Sequence, residues 1–232
     1  MQINCLEFGG KGPSIVFLHG WQQSGRSFSP LVPFLSKNYR LFLIDLPGFG
    51  LTEKPADAFS SFDYAKAIAS WLQKKKLKKI ILVGHSFGGK IATIIGSKNP
   101  EMIKKLILIA SSGIPHTKTL SKLIPSSISK RIPFKVKRFF ASRDYQQAGE
   151  LLVLFKNIVK EDISSVFTKI NLPTLIIWGK EDKELPVSDG KLIQKLIKKS
   201  RLVLVEGDHF PFWQKPKQID NKCPGNYNDG FL

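Results

Sequence analysis

The sequence predicts an α/β fold: a mostly parallel central sheet flanked by helices, interrupted late by a stretch of helix-like pieces. Three observations carry this expectation. Apolar runs of strand length alternate with helix-length amphipathic stretches along most of the 232 residues. One such run, Lys79-Ile80-Ile81-Leu82-Val83, passes through Gly84-His85-Ser86-Phe87-Gly88-Gly89 straight into a helix-like stretch, Lys90 to Gly96. Between residues 112 and 169 the alternation stops, and helix-like pieces are punctuated by Pro115, Pro125 and Pro133 without a clear strand. The expected division is a core of residues 1–111 and 170–232, with 112–169 as an insertion.

In chain order, residues 2–8 and 14–18 read as two strands, and Gly9-Gly10-Lys11-Gly12-Pro13 between them reads as a hairpin turn. That glycine cluster lacks the Gly-Lys-Ser/Thr ending of a phosphate loop. The second strand runs into His19-Gly20-Trp21-Gln22-Gln23. A helical stretch near 26–36 precedes a buried strand, Leu41 to Ile44, which ends in Asp45-Leu46-Pro47-Gly48-Phe49-Gly50. Ser60 and Asp63 form a capping box, and Tyr64, Ile68, Trp71 and Leu72 recur at helical spacing behind it. Lys74, Lys75, Lys76, Lys78 and Lys79 fall at that helix's end, where cations suit the dipole. Further strands follow at 106–110, 174–178 and 201–205, with a helix around 187–198 between the last two, for seven strands in all.

Composition narrows the function classes. The apolar fraction of 42% and four tryptophans belong to a folded domain, and no apolar stretch reaches the roughly 18 residues that a membrane span requires. The first residues have neither a basic region nor a long apolar run, so a signal peptide is not expected, and the cytoplasm is the expected compartment. Two cysteines, Cys5 and Cys223, make neither a disulfide framework nor a metal motif. The net charge of +18 comes mainly from scattered lysines, with only six arginines among 36 basic residues. Readers of phosphate and bases normally add arginine forks, so no nucleic acid is expected as a partner.

The chemistry lies in the loops that follow the strands. In a strand, G-x-S-x-G, helix arrangement the reversal is so tight that the serine adopts a strained backbone and holds its hydroxyl clear of the sheet. Gly84 and Gly88 supply the neighbours without bulk that this requires. Ser86 is therefore the candidate nucleophile. A serine hydroxyl needs a base, and His209 in Gly207-Asp208-His209-Phe210 follows the last strand. The acid that orients the histidine is assigned to Asp182 in Gly179-Lys180-Glu181-Asp182, with Glu181 as the alternative; Asp208 adjoins the histidine in sequence. An oxyanion needs two amides, and those of Phe87 and Trp21 are the candidates. His85 should point away from Ser86, and His19 should shape its own loop through hydrogen bonds. No histidine has metal-ligand spacing with another His or Cys.

These stretches together resemble the α/β-hydrolase superfamily, in its cap-bearing serine esterase and C–C hydrolase branch. The likeness covers His19-Gly20-Trp21, Asp45 to Gly50, Gly84 to Gly89, Pro173 to Gly179 with Asp182, and Gly207 to Pro211. It implies an eight-stranded sheet, so one N-terminal strand is short or absent here, and a cap that matches residues 112–169. It also implies a serine, acid, histidine order and hydrolysis of a small carboxylic ester or thioester through an acyl-enzyme, without a cofactor. A serine nucleophile argues against the dehalogenase and epoxide hydrolase branches, which use aspartate. The alternatives are a meta-cleavage C–C hydrolase, and a ligand receptor with slow turnover that keeps the triad.

Two segments depart from the rest. The family ends on an amphipathic helix, but Asn221 to Gly230 contains Pro224, Gly225 and Gly230 and cannot continue one, so the terminus is expected to be truncated or altered. Within 118–138, seven basic residues stand beside Phe134 with no acid among them. That charge suits an anionic or carrier-linked substrate, with contact to a membrane surface as the alternative.

Overall fold

A computed structural model describes residues 1–55, 59–115 and 158–220. The expectations for the basic stretch 118–138, for most of the cap and for the tail 221–232 lie outside these residues. Among the described residues seven strands form one sheet: β1 (Cys5–Phe8), β2 (Ser14–Leu18), β3 (Arg40–Ile44), β4 (Ile80–His85), β5 (Ile103–Ile109), β6 (Thr174–Gly179) and β7 (Ser200–Val205). Their spatial order is β1-β3-β2-β4-β5-β6-β7, and every pair is parallel except the antiparallel β1 and β3. The helices are α1 (Val32–Leu35), α2 (Ser61–Lys74), α3 (Phe87–Lys98), α4 (Ser164–Phe167), α5 (Val187–Leu196), α6 (Pro211–Gln214) and α7 (Pro216–Asp220), with 3-10 turns at Gly25–Leu31 and Pro100–Met102.

The central strands are apolar along most of their length because both faces are covered. Alternate residues divide between two cores. Val16, Leu18, Phe42, Leu82, Leu106 and Ile176 pack toward α2 and α3. Ile15, Phe17, Leu43, Val83, Ile107 and Ile177 face the 3-10 turn, α6 and α7. There Phe28 stacks on Phe212 and packs at a tilt against Phe17, with ring centroids 4.9 Å apart in each pair. Phe212 and Ile219 are fully buried, so α6 and α7 close this face immediately after the loop carrying His209.

The hairpin expected at Gly9–Pro13 is not formed. β3 lies between β1 and β2, with Cys5 paired to Ile44 and Phe8 to Leu41. The glycines serve a crossing instead of a turn. Gly9 and Gly12 have φ of +72° and +93°, and a Cβ on either would come within 2.3 Å of the Tyr39 carbonyl or 2.0 Å of the Asn38 carbonyl. The helical stretch near 26–36 is a 3-10 turn followed by one α-turn, with Pro30 inside the 3-10 segment. The capping box forms: the Asp63 amide donates to Ser60 Oγ at 3.2 Å, and the Ser60 amide donates to Asp63 Oδ2 at 2.9 Å.

Candidate active site

Ser86 sits between β4 and α3 with φ +50° and ψ −112°, outside the regions that L-residues ordinarily occupy. Its surroundings hold it there. The Ser86 amide donates to the Ile109 carbonyl at 3.0 Å. Its own carbonyl accepts from the amides of Gly89, Lys90 and Ser112 at 3.0–3.2 Å, and from Ser112 Oγ at 3.2 Å. Strain of this kind costs about 1–3 kcal/mol and persists only where neighbours over-determine it. A Cβ on Gly84 would lie 2.4 Å from the Gly88 carbonyl, and one on Gly88 would lie 2.1 Å from the Leu18 carbonyl. Both positions therefore need glycine for α3 to approach β4 and β2.

His209 follows β7 and Asp182 follows β6, and the parallel sheet brings these two loops side by side. His209 Nδ1 donates to Asp182 Oδ2 at 2.8 Å, with both side chains buried. The other carboxylate oxygen, Oδ1, accepts from the amides of Glu184 and Leu185, each at 2.9 Å. Trp178 Nε1 donates to the Leu185 carbonyl at 3.0 Å and ties this loop to β6. A buried carboxylate with three donors is thus satisfied on both oxygens. With its proton on Nδ1, the imidazole leaves the Nε2 lone pair free to act as a base. The Asp208 carboxylate accepts from the Phe210 amide at 2.8 Å, and no hydrogen bond joins Glu181 to His209 among the described residues.

Ser86 and His209 line one cleft of about 430 Å³, together with Trp21, Gln22, Glu184 and Trp213. Ser86 Oγ and His209 Nε2 face this cleft without a hydrogen bond between them; catalytic contacts of this kind commonly tighten in the Michaelis complex. Phe87 opens α3, so its amide belongs to the first turn, which has no acceptor within the helix. Trp21 is buried and packs edge-on against Phe49 and Phe87, with centroids 5.0 and 5.7 Å away. Among the described residues no group of three His, Cys, Asp or Glu side chains is placed to hold a metal ion.

Other polar groups surround the cleft. His19 Nδ1 donates to the Gly20 carbonyl at 2.7 Å, and Nε2 accepts from the Leu46 amide at 3.0 Å, so the ring is neutral and sets the Trp21 loop. Asp45 takes hydrogen bonds from the amides of Gly25 and Leu51 and from Asn4 Nδ2. Gly50, at φ +57°, makes room for that carboxylate. His85 lies behind His209, with ring centroids 4.8 Å apart, and its Nε2 donates to the His209 carbonyl at 2.9 Å. Sequence reasoning gave His85 no role; the only hint was a histidine ending an otherwise apolar strand. Glu184, whose Oε2 lies 3.7 Å from His209 Nε2, left no signal in the sequence at all.

A family model of the alpha/beta hydrolase fold matches residues 13–146, more than half of the chain, and the chain belongs to that family. Its curated relatives identify it as a hydrolase with esterase homologues. The pimeloyl-acyl-carrier protein methyl ester esterase of Aeromonas hydrophila is 27% identical over 94% of this chain and 96% of its own length. The monoacylglycerol lipase ABHD6 of Mus musculus is 28% identical over 92% of this chain and 76% of its own. Among solved structures, the esterase EaEST of Exiguobacterium antarcticum superposes with a TM-score of 0.77 at 23% identity, covering 95% of this chain and 93% of that one, which shows the shared fold. Among the described residues no helix is long and apolar enough to cross a membrane.

Proposed function

We propose that the protein is a serine hydrolase that cleaves a small carboxylic ester through an acyl-enzyme. The observation that carries this reading is the buried Asp182–His209 pair, which opens into the same cleft as a strained Ser86. Ser86 Oγ attacks the ester carbonyl while His209 Nε2 takes its proton. Asp182 holds the ring by Nδ1 and stabilises the imidazolium. The amides of Phe87 and Trp21 receive the negative oxygen of the tetrahedral intermediate. On collapse the alcohol leaves with the proton from Nε2, and water repeats the cycle to free the acid.

The relatives' names support the ester class and differ in what surrounds it: one is a methyl ester on a carrier protein, the other a monoacylglycerol. The carrier-linked reading draws on the first relative and on the basic residues of 118–138, which would attract an acidic carrier. We further propose that residues 112–169 form the cap domain, a reading carried by the break in strand–helix alternation along that stretch. Steady multiple turnover separates an enzyme from a hydrolase-fold receptor, and ester turnover without cleavage of dienone acids separates it from a C–C hydrolase.

The test is covalent and kinetic. A fluorophosphonate should label the wild type and leave Ser86→Ala unlabelled. Ser86→Ala should lower kcat by up to ~10⁶ and Asp182→Asn by roughly 10⁴, with KM little changed. Full labelling of Ser86→Ala would refute the nucleophile, and undiminished kcat in Asp182→Asn would refute the acid.

A further inference from the structure

His209 is bracketed by two carboxylates, and only one of them has a role in the triad. Asp182 holds Nδ1 at 2.8 Å, while Glu184 Oε2 lies 3.7 Å from Nε2, the nitrogen that faces the reaction. The same loop builds both contacts. The amides of Glu184 and Leu185 donate to Asp182 Oδ1, so the backbone that carries Glu184 is fixed by the carboxylate that orients the histidine. The Glu184 side chain is 46% exposed and lines the cleft together with Ser86, Gln22 and Gln214.

We propose that Glu184 is a specificity-determining residue that favours esters whose leaving alcohol carries a hydroxyl group close to the ester oxygen, a glycerol-like alcohol, over esters of simple alcohols. The assignment rests on the proposed roles of Ser86 and His209 and follows from where the proton goes. In acylation the bond from Ser86 Oγ to the carbonyl carbon forms, and the carbon–oxygen bond to the alcohol breaks. The proton taken from Ser86 passes from Nε2 to that alcohol oxygen. The leaving oxygen must therefore stand within hydrogen-bond reach of Nε2, about 3 Å away. A carboxylate 3.7 Å from that nitrogen reaches atoms one or two bonds beyond the leaving oxygen. An ionised carboxylate only accepts hydrogen bonds. A methyl group there offers it nothing and displaces its water, whereas a neighbouring hydroxyl donates to it.

The experiment compares two esters of one acid, methyl butyrate and glyceryl 1-monobutyrate, on the full chain. The ratio of their kcat/KM values should favour the glyceryl ester about tenfold in the wild type, the worth of one hydroxyl-to-carboxylate bond. Glu184→Ala should bring the ratio close to one. Glu184→Gln keeps an acceptor oxygen without the charge and should hold an intermediate ratio. Equal thermal midpoints of the three proteins would show that the fold is intact. A wild-type ratio near one, or a ratio unmoved by Glu184→Ala, overturns the assignment, while continued turnover of methyl butyrate leaves the Ser86 reading standing. Turnover of neither ester, with no fluorophosphonate labelling, overturns both.

Discussion

His85 does its work through a single hydrogen bond. Its Nε2 holds the carbonyl of His209 at 2.9 Å, and its ring lies fully buried between His209, Phe210 and Phe212. Burial keeps its pKa well below the usual histidine value, so the ring is neutral and serves as a donor, not a charge. Its Nδ1 has no hydrogen-bond partner among the described residues and lies against Gly20, where a Cβ would come within 2.9 Å of it. The ring thus spaces the His209 loop from the Trp21 loop. A positioning residue of this kind is separable from a merely structural one by chemical rescue. His85→Leu should lower kcat by about 100-fold with KM nearly unchanged, since misplacing a base by 1 Å costs that much. His85→Gln, whose amide nitrogen replaces Nε2, should recover most of the loss. Equal kcat in the two variants would refute the role.

At the scale of elements, the crossing of α3 over β4 and β2 decides whether the cleft exists. The contrast between two glycines makes this testable. Gly88→Ala would place a methyl group 2.1 Å from the Leu18 carbonyl and 2.6 Å from that of His19, where only backbone movement relieves the clash. Gly10→Ala meets nothing within 4 Å. Urea unfolding should show a loss of about 3 kcal/mol or more for the first variant and almost none for the second. Similar midpoints would show that α3 can shift freely. This junction was legible in the sequence because its signals are local: an apolar strand, two glycines around a serine, then a helix. So was the Ser60–Asp63 box, formed within one turn. What is non-local was not legible. The glycines at 9–13 have turn chemistry, but no local feature reveals that β3, some thirty residues later, pairs between the flanking strands. Lys90 is similar: its Nζ donates to the carbonyls of Ile158 and Glu161, 68 and 71 residues away, from within a helix that reads as apolar. The Glu161 carboxylate in turn accepts from the Ser61 amide at the start of α2. Burial lowers the Lys90 pKa to about 8, a consequence of packing that periodicity cannot convey. Asp182 was preferred to Glu181 at sequence level, but the two amides that fix its carboxylate follow from a loop shape that the sequence does not spell out.

Across the whole molecule, folding must bury histidines in their neutral form beneath the site, and this ties stability to pH. His19 is completely buried, and desolvation lowers its pKa to about 4 from the ordinary 6.5; His85 is shifted in the same direction by burial and by His209. Between those two values the unfolded chain binds a proton that folded His19 refuses, so protons favour unfolding as pH falls. The stability that neutral His19 contributes is complete above pH 6.5 and is lost progressively toward pH 4. Going from pH 7 to pH 5 should remove about 2 kcal/mol through His19 alone, with His85 adding to the loss. Most carboxylates remain ionised above pH 5 in the unfolded chain, so this window isolates the histidines. The net charge of +18 acts on both states but favours the expanded one as further protons bind, which reinforces the trend. Urea midpoints measured at half-unit steps should fall steadily across this range at constant ionic strength. A midpoint that stays level from pH 7 to pH 5 would mean that His19 accepts a proton in place, and that its hydrogen bonds to Gly20 and Leu46 do not require the neutral ring.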